Sequence, residues 1–446
     1  MKNKQMKLGS IPFLLCMVFI WSVSLRVAHA SSGRVFNHLN LKQITSLDGL
    51  PSDEVQKVFQ DRDGMMWFAT RNGLCKYDGY LITTFKSNLY TPDLFTDNNI
   101  LCLANDSDHN IWIGTQRGLD VLNKETGAIR KGVFSEMENV IISCLLTSRD
   151  GLLWIGSDYG LYSYDKETGT LTHYNSEKTD NILSTYPIKS LFQDSEGDIW
   201  IGTWSDGLYR YSVLDGIFYK YPKMNSRNSA HCIYEDSQHN IWVGGWDEGV
   251  FLLKDAKDME RVSWVNFRHS PNDCSTLSDN IVYDICEDIN TNTLWVGTRG
   301  GLSILSSASA GKFTNYKPGK SVHYIPSDEI NSLHRDNQGN IWIGSIGGGV
   351  FMSDTRASQF NMYRFEEDSD IPASAIRAML VDDDTVWLGI GTYGVAKHDR
   401  KTNQYTFFSR IPEFSEITAM PTVYSITQRK QSGEIWLGTY DGGVYA

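Results

Sequence analysis

Two tryptophans stand in short glycine-bounded turns, one in Gly202-Thr203-Trp204-Ser205-Asp206-Gly207 and one in Gly244-Gly245-Trp246-Asp247-Glu248-Gly249. Such a turn needs glycine and small polar residues, and has no structural use for an exposed indole. Each indole is followed by a carboxylate, Asp206 or Asp247. The matching turns elsewhere in the chain begin with Arg71, Gln116, Asp158, Arg299 and Ile346. Aromatic faces, carboxylates and guanidiniums are what a sugar ring needs: a flat platform for its C–H face and charged partners for its hydroxyls. Trp204, Asp206, Trp246 and Asp247, with Arg299 and Arg71 across from them, are therefore the candidate ligand-binding set. The competing structural explanation is that the rings pack down onto neighbouring turns.

Other chemistry finds less support. The ten histidines are scattered, with none paired at metal-ligand spacing. His109 and His239 fall in turns where sister segments carry Asn, Gly or Gln, and His231 and His323 lie near strand starts without a paired acid or base. No GxSxG, HExxH or Walker pattern occurs. Asp382-Asp383-Asp384 lacks the ligand spacing of a calcium loop. No catalytic residue, metal ligand or cofactor is assigned.

The turns are placed by a repeat. Trp67, Trp112, Trp154, Trp200, Trp242, Trp295, Trp342, Trp387 and Trp436 sit in one recurring phrase, at spacings of 45, 42, 46, 42, 53, 47, 45 and 49 residues. A period of this length in β-forming sequence predicts an all-β propeller, one four-stranded antiparallel blade per repeat. In residues 187–221, alternating runs divided by Gly, Asp and Ser turns read as strands a to d, with Trp200 on b. The glycine after Trp-x lets blades approach, and the periodic tryptophans pack between them. The b–c and d–a turns then share one face around the central channel, and the a–b turns take the other.

Blade number follows from a duplicated opening. Phe36-Asn37 begins a lone strand at 36–44 and Phe360-Asn361 begins another, with seven repeats between them. The expectation is a seven-bladed propeller over residues 31–355, strand 36–44 completing the blade of Trp342 and so removing an exposed edge. Residues 356–446 supply the first two blades of a second propeller. Two blades cannot close a ring or bury both faces, so the segment is expected to be unstable alone and the chain to stop short of its second ring.

Residues 1–30 read as a cleaved secretory signal: Lys2, Lys4 and Lys7, an apolar run from Ile11 to Val23, then Ala28-His29-Ala30. They hold four basic and no acidic residues, so without them the formal charge falls from −12 to −16. That balance disfavours nucleic acid and anionic membrane as partners. Cys75, Cys102, Cys144, Cys232, Cys274 and Cys286 form no CxxC pair, and five of them lie in apolar runs that suit buried free thiols.

The pattern Asp, Gly, Ile-Trp-Ile-Gly-Thr, Gly-Leu and Tyr-Asp, met by Asp194 through Tyr211 and by Asp61 through Asp78, resembles the two-component regulator propeller repeat. With a secretory signal, the chain looks like the N-terminal, periplasmic part of a Bacteroides-type hybrid two-component sensor. The resemblance implies two propellers and a β-sandwich outside the cytoplasm, then a membrane helix, a histidine kinase, a receiver and a DNA-binding module. It implies a homodimer in the full-length sensor, anchored to the inner membrane by segments beyond this sequence. It also implies recognition of oligosaccharides and control of the matching polysaccharide-utilisation genes. No kinase or DNA-binding residue falls in this chain. The reading taken is a ligand-sensing region that is not itself an enzyme; the alternative is a secreted propeller lyase or glycoside hydrolase.

Overall fold

A computed structural model describes residues 39, 41–87, 89, 91, 93–174, 183, 187–221, 229–306, 308, 311–319, 324–356, 376–382, 384–391, 394–399, 404–408, 422–429, 431–440 and 442–446. The expected signal at 1–30, both Phe-Asn openings and His323 lie outside them. The chain divides into two units, Met1–Asn361 and Met362–Ala446. Among the described residues no helix is long and apolar enough to cross a membrane.

Among the described residues, the first unit holds seven four-stranded antiparallel sheets. Their a strands are Val55–Gln60, Ile100–Asn105, Ile142–Thr147, Ile188–Gln193, Ala230–Glu235, Val282–Asp288 and Ile330–Arg335, defining blades 1 to 7. Each packs against the next and the last against the first, so the a strands ring the axis. Strand Leu41–Ile44 supplies the outer strand of blade 7, pairing antiparallel with Val350–Ser353 from Leu41↔Ser353 to Ile44↔Val350. The ring is thus closed by its N-terminal strand.

Strand b carries the Ile-Trp-Ile-Gly phrase and is buried on both faces, so its sequence is a continuous apolar run. The seven tryptophans there keep at most 4% of their surface exposed. The following glycine is forced by the neighbours. A Cβ on Gly156 would come 2.8 Å from Cγ2 of Ile188 in the next blade, and one on Gly114 would meet Ile142 equally closely.

The recurring aspartate has a partner that turn chemistry alone does not predict. Asp61, Asp106, Asp194, Asp236 and Asp336 each accept the indole Nε1–H of their own blade's tryptophan, at 2.7–3.1 Å. The other oxygen takes turn amides; Asp194 Oδ1 accepts from the backbone of Glu196, Gly197 and Asp198. Ser148 replaces the aspartate in blade 3, and Thr293 serves Trp295 in blade 6.

The same face carries a polar clamp at every junction. The residue after the aspartate, or after Ser148 in blade 3, donates its amide to a side chain at the end of the next a strand: Arg149 to Gln193, Ser195 to Glu235, Ser237 to Glu287 and, across the closure, Asn337 to Gln60. Where that acceptor is Asn105 or Thr147, a lysine substitutes. Lys124 binds Asp61 and Asp63 at 3.0 and 2.6 Å, and Lys166 binds Asp108 at 2.6 Å. Between blades 6 and 7, Asn290 Nδ2 donates to Gly339 O and Thr355 Oγ1.

The second unit holds a four-stranded sheet, Ile376–Val381, Thr385–Ile390, Gly394–Asp399 and Gln404–Phe407, and a three-stranded one, Val423–Gln428, Ile435–Thr439 and Gly443–Tyr445. Their a strands pack together, as in the ring.

Candidate functional site

Every a strand of the ring breaks register at the same place, between its first and third residues, from Val55/Lys57 round to Ile330/Ser332. Such a bulge leaves the second residue unpaired and re-aims its side chain. These residues meet around the axis: Asn331 Nδ2 donates to Gln56 Oε1 at 3.3 Å, and the rings of His231 and Tyr283 lie 5.8 Å apart. The remaining members are Leu101, Ser143 and Lys189, so Lys189 alone in this tier is formally charged at neutral pH.

The b–c turns rise beside the tier. In most blades strand b ends in Thr or Ser, whose hydroxyl donates across the turn; Thr203 Oγ1 reaches Gly207 O at 2.9 Å. That hydrogen bond fixes the direction of the next side chain, Trp204, whose own amide is held by Pro187 O at 2.9 Å. Trp246 is fixed by a backbone bridge to Ile281 of blade 6.

The structure brings the two predicted indoles together. The Trp204 and Trp246 rings lie 5.0 Å apart at 58°, each with 38% of the residue exposed. Trp246 also meets Tyr283 at 6.0 Å and His231 at 5.4 Å. Three consecutive blades therefore share one aromatic wall at the channel mouth. Burial first, then the Lys189 charge, holds His231 down to about 4, so its ring is neutral at pH 7. Burial and the 2.6 Å hydrogen bond to Glu329 both raise the Tyr283 hydroxyl. His231, Tyr283 and Lys189 were not among the sequence candidates. The signal that could have found them is their shared second place in strand a.

The charged candidates are placed differently. Asp206 accepts from Tyr209 and, at 2.7 Å, from Lys220 on its own blade. Arg71 pairs with Glu54 at 2.7 Å and Arg299 with Asp279 at 3.2 Å. The cation over the Trp204 face is Lys189, 5.4 Å from the ring centroid. Asp247 adopts φ 96°, where the matching turn of blade 7 has Gly347 at φ 83°. A left-handed conformation is strained for a residue with a Cβ.

The floor below the tier is an ion pair. Lys57 of blade 1 reaches past blade 7 to Asp284 of blade 6 at 2.8 Å, and Asp284 also accepts from Ser332 Oγ and Leu333 N. Burial opposes the charge on Lys57, but Asp284 outweighs it and the ammonium is raised overall. Lys57 keeps 39% of its side-chain surface accessible and Asp284 14%. Cys75, Cys102, Cys232 and Cys286 are buried free thiols, Cys144 is half-buried and Cys274 exposed. Burial pushes Cys75, Cys144 and Cys286 up to about 12, out of reach of thiolate chemistry at neutral pH. Among the described residues, no three His, Cys, Asp or Glu side chains gather as metal ligands.

Six stretches, residues 49–72, 95–117, 182–205, 226–247, 276–300 and 324–347, match the two component regulator propeller family, each covering the a–b hairpin of one blade. These six stretches are similar to two component regulator propeller repeats. Blade 3, where Ser148 replaces the signature aspartate, is the blade of the ring left unmatched. No curated protein matches the sequence. Among solved structures, the propeller is similar to the extracellular domain of the hybrid two component system BT3049 from B. thetaiotaomicron, at 23% identity and a TM-score of 0.68, over 92% of this chain and 53% of that one. The extracellular domain of BT4673 from the same organism is similar at 19% identity and 0.59, over 91% and 52%. The chain thus spans about half the length of these two. Virginiamycin B lyase from Staphylococcus aureus shares the fold at 14% identity and 0.53, over 71% of this chain and 99% of the lyase.

Proposed function

We propose that this chain is the ligand-sensing propeller region of an extracytoplasmic two-component sensor, and that its ligand is an oligosaccharide bound at the mouth between blades 4 and 6. The observation that carries the reading is the joined pair Trp204 and Trp246, half-exposed on consecutive turns and continuous with Tyr283. Supporting it, two buried polar atoms of blade 5 beside this wall have no hydrogen-bond partner, Ser229 Oγ and His231 Nδ1. Buried polar atoms left unpaired are costly, and a bound ligand or water relieves them. The repeat match and the extracellular two-component domains of the same fold support the sensing role.

The two rings supply stacking worth on the order of 1 kcal/mol each beyond area burial. Titration calorimetry against a panel of plant and host glycan oligosaccharides should find a binder that the Trp204→Ala/Trp246→Ala variant holds at least about tenfold more weakly. Unchanged affinity in a folded variant moves the site elsewhere. Cleavage of the bound sugar, seen by mass spectrometry, would instead establish the enzyme alternative.

A further inference from the structure

Resting on that reading, we infer that the sugar bound at this mouth is anionic, carrying a carboxylate or sulfate that Lys189 receives. The arginines near the mouth are already matched: Arg71 lies against Glu54 and Arg299 against Asp279, both in hydrogen-bond contact. Lys189 differs. Among the described residues its one ion pair is long, with Asp158 Oδ1 at 3.7 Å and no hydrogen bond, and its side chain is 22% accessible. The ammonium stands over one face of the Trp204 ring, so a sugar stacked on the Trp246 part of the wall would lie next to it.

The surroundings add to this. Lys189 carries the one formal charge of its tier. His231 beside it is held in the neutral form by burial, then by Lys189. An anion placed between the two would be stabilised by the ammonium and could accept the imidazole N–H. The net charge of −12 opposes any anion at long range. Screening confines that repulsion to about 8–10 Å at ordinary salt, so the local pairing decides. Charge-assisted hydrogen bonds in a partly desolvated cleft are about twice as strong as neutral ones.

The test is calorimetry of the folded chain with four probes: trigalacturonate, a sulfated chondroitin disaccharide, maltotriose and cellotriose. The first carries carboxylates only and the second a uronate carboxylate together with a sulfate, so binding by the second alone points to sulfate. At least one acidic probe should bind, about tenfold or more tighter than both neutral ones, with affinity falling as salt rises. Lys189→Met should lose about tenfold for that probe, while Lys189→Arg stays within about threefold. Melting curves establish that both variants fold. Neutral probes binding as well as acidic ones, an unchanged Lys189→Met, or no binding by any probe overturns the inference. If neutral sugars bind and the Trp204→Ala/Trp246→Ala variant loses them, the indole site stands and the anion falls. If an acidic probe binds regardless of the indoles, the site itself is wrong and this inference goes with it.

Discussion

In the ring the strand-b tryptophans keep at most 4% of their surface, whereas Trp436 in the second unit keeps 38%. Both segments use the same phrase, Ile-Trp-Ile-Gly-Thr in blade 4 and Ile-Trp-Leu-Gly-Thr at 435–439. The difference lies in the neighbours. A ring blade is covered on both faces by the next blades, while Met379, Val381, Tyr424, Tyr440 and Val444 of the second unit are each more than half exposed. Burial is therefore a property of the closed array and not of the repeat. Polar support differs in parallel. Where the ring has an aspartate under the indole, the last a–b turn has Arg429, paired with Glu434 at 3.6 Å.

The largest expected contrast is at the tryptophans themselves. Trp200→Ala should cost about 3–5 kcal/mol in urea unfolding of the ring, and Trp436→Ala less than about 1 kcal/mol. Equal losses would mean that the second unit is packed as tightly as the first. Next comes the carboxylate beneath. Asp194→Ala strips the Trp200 indole and three turn amides of their acceptor, and should cost about 2–3 kcal/mol. Arg429→Ala should stay within about 0.5 kcal/mol, measured the same way.

A pH scan sharpens the comparison because both depressed imidazoles belong to the ring. Burial first, with Lys189 for His231 and Lys57 for His334, holds each at about 4. Unfolded imidazole titrates near about 6.5, so between those values the unfolded chain binds protons that the folded ring refuses. Their stabilisation is complete above about pH 6.5 and is lost as pH falls toward 4, about 2 kcal/mol per imidazole by pH 5. Thermal melts from pH 7.5 to 5 should show it, and the His231→Gln/His334→Gln variant should flatten the slope. An unchanged slope would place the acid sensitivity elsewhere. Within the ring, the smallest effect is expected at the clamps. Lys166→Ala removes a partly exposed ion pair and should cost no more than about 1 kcal/mol by chemical denaturation. A larger loss would show that the junction of blades 2 and 3 depends on it.

The tryptophan period, the seven blades and the closing strand were legible because each repeats or duplicates in one dimension. The aspartate six residues before Trp200 was also in view, but its link to the indole is a three-dimensional fact of the hairpin. The bulges were hidden because register belongs to paired strands; with them were hidden Lys189 and Tyr283, which look like ordinary strand residues, while His231 was noticed only as a histidine near a strand start with no paired acid or base. The indoles stood out as misfits in a turn. Arg71, Arg299 and Asp206 were read as available charges because their partners Glu54, Asp279 and Lys220 lie in other turns or strands.

The closing strand also sets an order of events during synthesis. Leu41–Ile44 leaves the ribosome first, yet its partner Val350–Ser353 arrives some three hundred residues later. Until then the nascent ring is an arc with two bare ends, its first strand tethered by a long loop whose closure entropy opposes early pairing. Blades can stack as they emerge, but the last one is assembled from both ends of the unit at once, so completion is a single late, non-local step. The interval before it is when the arc is most open to chaperones, proteases and the edges of other copies.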